Sequence, residues 1–178
     1  MTGYDPGAEC ALCKGKCCRE KGCSLSPEDM LQSMGKKDGK ADRQEILELL
    51  KKENGQYAVD FFTDQEGPCF YLRMKHKCYT FVGVDAIGIC IALEEKGCVL
   101  PKEQRPRGGR FLESRAGGQC IQHYTKQQMR EDWRPYQESL SSIYREYEKL
   151  FREDGTFDRC DEAYFAYLRR THEAGRTV

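Results

Sequence analysis

The sequence predicts an α+β fold: a small metal-stapled antiparallel sheet, covered by a cysteine-rich N-terminal segment and followed by a C-terminal helical part. Three observations carry this. Four cysteines crowd the run Cys10-Ala-Leu-Cys13-Lys-Gly-Lys-Cys17-Cys18. Aromatic and β-branched runs separated by turn residues occupy the middle of the chain, as short strands do. Beyond Cys120, apolar residues recur at three- and four-residue steps, the period of a helix.

Taken in order, the segment up to Cys23 holds five cysteines, with glycines and many lysines. It lacks the apolar residues to fold alone and needs a ligand or the rest of the chain to order it. Ser26-Pro27-Glu28-Asp29 reads as a helix start, with a capping hydroxyl, a proline in the first turn and acids at the positive end of the dipole. A short helix to residue 34 is expected, then a lysine-rich linker. Ile46, Leu47, Leu49 and Leu50 give a second, amphipathic helix that ends near Asn54-Gly55. The runs 57–62, 69–74 and 79–84 read as strands, punctuated by Gly67-Pro68, Gly83, Gly88 and Gly97. Met129, Trp133, Tyr136, Leu140, Ile143, Tyr147, Leu150 and Phe151 line one helical face, with Pro135 as a break. A last helix is expected over 158–173. The aromatic stripe reads as core.

The chain has 178 residues, 39% hydrophobic and 33% charged, enough for one modest core. The reading divides it into a cysteine-cluster metal-binding domain, 1–120, and a helical extension, 121–178, packed on it as one compact unit. Lys plus Arg and Asp plus Glu number 29 each, so no overall field draws in nucleic acid or an anionic membrane. No stretch reaches the ~18 apolar residues of a membrane helix, and the first seven residues carry no apolar signal region. A cytoplasmic protein is expected.

Eleven cysteines exceed what packing requires, and an odd count disfavours a closed set of disulfides. A reducing compartment leaves thiols free for metal. Cys-x-x-Cys lets two sulfurs converge on one ion, and thiolates hold both zinc and iron–sulfur clusters. Cys10, Cys13, Cys17 and Cys18 are therefore the leading metal ligands. Lys14, Lys16, Arg19 and Lys21 surround them and favour the thiolate form. Two later segments share a pattern: Cys69-Phe-Tyr-Leu to Cys78 and Cys90-Ile-Ala-Leu to Cys98, each spanning a charged stretch. Each reads as a hairpin that presents two thiols, adding Cys69, Cys78, Cys90 and Cys98 to the candidate ligands, in one large site or two. Ligands from distant positions would add folding energy outright, ~10–16 kcal/mol in small zinc peptides. Cys160, beside Tyr164 and Tyr167, reads as packing.

On these residues the chain resembles the YkgJ-type cysteine-cluster proteins, described as zinc- or iron-chelating. Cys10, Cys13, Cys17 and Cys18 match the opening Cys-x-x-Cys-x-x-x-Cys-Cys. Cys90 with Leu93, then Cys98, match the next elements, and Arg105-Pro106 with Arg110 match an Arg-Pro-x-x-Cys-Arg element. Gly109 stands where that pattern has a cysteine. Cys120, or Cys69 with Cys78, are the candidates to replace it. The resemblance implies a metal-binding protein in a structural or regulatory role. The rival is an iron–sulfur redox or group-transfer enzyme, since a related motif occurs in flagellin lysine N-methylases.

Other chemistry is thinner. His76, two residues before Cys78, reads as a partly exposed turn residue rather than a ligand. The run Arg105-Pro-Arg-Gly-Gly-Arg110 is a local basic patch, but without a basic surplus or stacking aromatics it argues against nucleic acid. Those arginines are expected to bond sulfur or carboxylates and hold their loop.

Overall fold

A computed structural model describes residues 15, 18, 23–52, 54–83, 88–95, 97–113, 115 and 120–174, with side chains to residue 170. Cys10, Cys13 and Cys17 lie outside these residues, as do the three lysines and one arginine expected around them. The fold is mixed α and β: helices α1 (Pro27–Ser33), α2 (Arg43–Lys51), α3 (Lys126–Trp133), α4 (Gln137–Glu153) and α5 (Thr156–Ala174), and three two-stranded antiparallel sheets.

Local chemistry sets the helix starts. Ser26 and Asp29 form a capping box at α1, Asp42 and Glu45 at α2, and Thr125 and Gln128 at α3. In each, one side chain accepts an orphan amide of the first turn while the other returns to the cap's own amide. Pro135 breaks the long apolar stripe as expected, and a single 3-10 turn, Arg134–Tyr136, separates α3 from α4.

The main sheet is the hairpin β1 (Tyr57–Asp64) and β2 (Gly67–Met74), in register from Tyr57 opposite Met74 to Asp64 opposite Gly67. Gly67 turns it with φ 94°, a conformation glycine adopts without strain. Two of the expected readings fail here. The stretch 79–83 forms no strand and pairs with the sheet through an isolated parallel bridge of Val82 to Val59. Nor is Cys69 to Cys78 a hairpin, because Leu72, Arg73 and Met74 continue β2. The charge of Arg73 does not break the strand: its Nε donates to Asp60 Oδ2 at 2.5 Å and its Nη1 to the carbonyl of Met74. The second expected hairpin does form, as β3 (Leu93–Glu94) and β4 (Gly97–Cys98), with Leu93 opposite Cys98.

The edge of β2 that faces away from β1 is covered piece by piece, as an exposed edge must be. Gln137 of α4 clamps Phe70, accepting its N–H and donating to its carbonyl, both at 2.8 Å. Leu25 N–H then donates to Leu72 O, and Met74 N–H to Cys23 O. Past the strand's end Ile91 N–H donates to Lys75 O, and Lys77 N–H to Ile89 O. Two short segments, 23–25 and 89–91, thus lie end to end along one edge.

One hydrophobic cluster runs from Leu25 to Phe157 and joins sheet and helices. Trp133, Leu140 and Ile143 are fully buried in it, and Trp133 Nε1 donates to Leu25 O at 3.0 Å. The stripe is core as expected from Met129 to Tyr144; Tyr147 and Phe151 are half-buried, and Leu150 of α4 and Phe165 of α5 are exposed, so the core reading fails toward the C-terminal end.

Candidate metal centre

The covered edge of β2 positions the cysteines. Ser24 pairs with Arg73 and His76 with Cys90 as antiparallel bridges. Side chains opposite one another share a face, and alternate residues of a strand share a face. Cys23, opposite Met74, and Cys90, opposite His76, therefore stand on the same face of the extended ladder. The imidazole of His76 lies against Gly88, the other residue of that face, where a side chain would collide with the ring. His76 is only 2% exposed, and its Nε2 is the one buried side-chain nitrogen or oxygen without a hydrogen-bond partner among the described residues. The expectation of a partly exposed turn histidine is wrong: the ring turns inward because residues 88–91 pack over it.

Cys98 joins from β4. Charge on Cys90 or Cys98 raises the cost of ionising Cys23, and Cys98 does the same to Cys90. Burial is the larger cause and pushes both the Cys23 and the Cys90 thiols up. Arg73 and Lys77 act in the opposite direction on Cys90. Burial, with a smaller push from Arg73, lowers the His76 pKa to about 3, which keeps the imidazole neutral, the form that ligates metal. Thiols held protonated are poor nucleophiles. A divalent cation among them would reverse that balance, since a coordinated thiol is deprotonated by the ion's own charge.

The third component is the arginine-rich turn. Residues Arg107–Arg110 form a single helical turn, bonded by Gly108 N–H to Ser24 O. Its arginines meet carboxylates and carbonyls, as the sequence suggested. Arg110 pairs with Asp29 at 2.9 Å, Arg107 with Asp132 at 3.2 Å, and Arg105 Nε donates to Leu100 O. Arg107 also stacks on Tyr124. So fastened, the turn brings Gly109 against Cys23. A Cβ at residue 109 would lie 2.8 Å from Cys23 Sγ, and the Cys23 thiol donates to Pro106 O at 3.8 Å, the carbonyl that also accepts the Gly109 N–H. The sulfur packed against this position is that of Cys23.

The described part of the N-terminal segment touches the same place. Cys18 accepts the Cys90 amide at 2.9 Å, and Gly15 lies so close to Leu93 of β3 that a side chain would collide with it. Cys18, Cys90 and Cys98 are thus brought together, and Cys23 is added. Cys69 and Cys78 are not part of this group. Cys69 is buried opposite Phe62 near the turn of the main hairpin, and Cys78 is exposed beyond its open end. Burial pushes the Cys160 thiol up, and charge on Asp161 and Cys78 acts in the same direction.

Among the described residues no three His, Cys, Asp or Glu side chains stand at metal-holding distance. The thiols are neighbours on one face, not a closed ligand set. Sequence reasoning missed Cys23 because only the fold places it against Gly109; the paired glycines at 108 and 109 were the one signal that a neighbour needed room. No protein-family model, curated protein or solved structure matches this chain.

Proposed function

We propose that this chain binds metal through clustered cysteine thiolates, as zinc or an iron–sulfur centre, in a structural or regulatory role. The observation that carries the reading is that Cys23 and Cys90 share one face of the ladder along the β2 edge, where the Cys18 carbonyl accepts the Cys90 N–H. The contact of Gly15 with Leu93 of β3 keeps Cys10, Cys13 and Cys17 as ligands of a second centre beside this one. The resemblance to YkgJ-type proteins points the same way, with Cys23 in the place of the cysteine absent at Gly109. Such a thiol centre suits the cytoplasm, and among the described residues no helix is long and apolar enough to cross a membrane.

The test is bound metal per chain after anaerobic purification of Cys90→Ser, Cys98→Ser and Cys69→Ser. The first two are expected to lose metal, because a hydroxyl is a poor substitute for thiolate, and the third to keep it. Full occupancy in both Cys90→Ser and Cys98→Ser would overturn the reading.

A further inference from the structure

His76 has no role in a centre made of sulfur alone, yet its placement asks for one. Its Nε2 is fully buried and unpartnered among the described residues. Buried polar groups without partners are rare in folded proteins and cost stability, and each calls for a reason. Arg73, two residues beyond Tyr71 on the same strand, shows the ordinary solution, since its buried charge is met by Asp60. No side chain does this for His76. The ladder sets its imidazole directly across from Cys90 and on the same face as Cys23, and Gly88 leaves the space in which the ring lies.

We infer that the centre is a mixed thiolate–imidazole zinc site in which His76 Nε2 joins the sulfurs of Cys23, Cys90 and Cys98. This rests on the metal-binding reading above and narrows it. Three cysteines and one histidine are an established tetrahedral donor set for structural zinc. The backbone register holds Cys23, His76 and Cys90 on one face, and zinc binding would draw the donors together, so that binding and closure occur together. Each cysteine that binds gives up its thiol proton to solvent, and His76 binds as the neutral ring with no proton to lose from Nε2 in that tautomer.

The experiment uses the full-length, reduced, metal-free chain with ¹⁵N-labelled histidine, titrated anaerobically with zinc chloride and followed by nitrogen NMR. A parallel cobalt(II) titration reads thiolate ligation by its sulfur-to-metal charge-transfer band. The expected result is a cobalt band together with a zinc-dependent shift of His76 Nε2, while His123 and His172 stay where they were. In His76→Gln the charge-transfer band persists and the weaker ligand-field bands move. A cobalt band with an unmoved His76 nitrogen would overturn the inference and leave the thiolate reading standing. No cobalt band at all would overturn both.

Discussion

The space a side chain at residue 109 would fill is taken by the sulfur of Cys23, so the two positions compete for one place. Gly109→Cys alone is therefore expected to lower metal occupancy or stability rather than raise it. Cys23→Ala should lose metal, and Cys23→Ala combined with Gly109→Cys should recover part of it, because the sulfur returns from the other side of the contact. Metal analysis of the three variants decides this; recovery no better than Cys23→Ala would show that position 109 does not face the centre. A second residue matters for the scaffold. Asp60 neutralises Arg73, which is 2% exposed, and Asp60→Ala leaves that guanidinium buried without its partner. The expected loss is about 3–5 kcal/mol, read from urea unfolding. A loss under about 1 kcal/mol would mean that Arg73 reaches water or a new acceptor.

Among the elements, the outer edge of β2 organises everything else, and its covering pieces can be removed one at a time. Gln137 satisfies both backbone groups of Phe70, so Gln137→Ala is expected to cost about 1–3 kcal/mol by leaving buried polar groups unmet, without changing metal content. Joint loss of stability and metal would mean that the edge is one cooperative unit from Phe70 to Cys90. The two Cys-x-x-Leu segments show what sequence can and cannot tell at this scale. Both look like hairpins, and only the one carrying Gly97, with φ 116°, is. Glu94, Glu95, Lys96 and Gly97 hold a residue suited to the turn, whereas Arg73 to Lys77 offer none, and the partner that lets Arg73 stay in a strand, Asp60, is thirteen residues away. Capping boxes and the helical aromatic stripe were legible because their signals are local.

For the whole molecule, one hydrophobic cluster links sheet and helices, and Trp133 sits at its centre with its indole nitrogen bonded to Leu25, just after Cys23. Trp133→Ala is expected to cost about 3–5 kcal/mol and to loosen the cysteine face with the core. The mixed α and β class could be read from period and turn residues alone. The parts of the site that could not be read, Cys23 and the inward His76, depend on how segments 23–25 and 89–91 divide one strand edge between them, a relation among residues some seventy positions apart that no spacing rule contains. The central claim is that these thiols hold metal. The most direct measurement is metal and acid-labile sulfide per chain in protein purified anaerobically from cells. The account predicts stoichiometric metal bound through sulfur, with zinc and no sulfide if His76 completes the site. Protein that is folded, fully reduced and free of both zinc and iron under those conditions would contradict it.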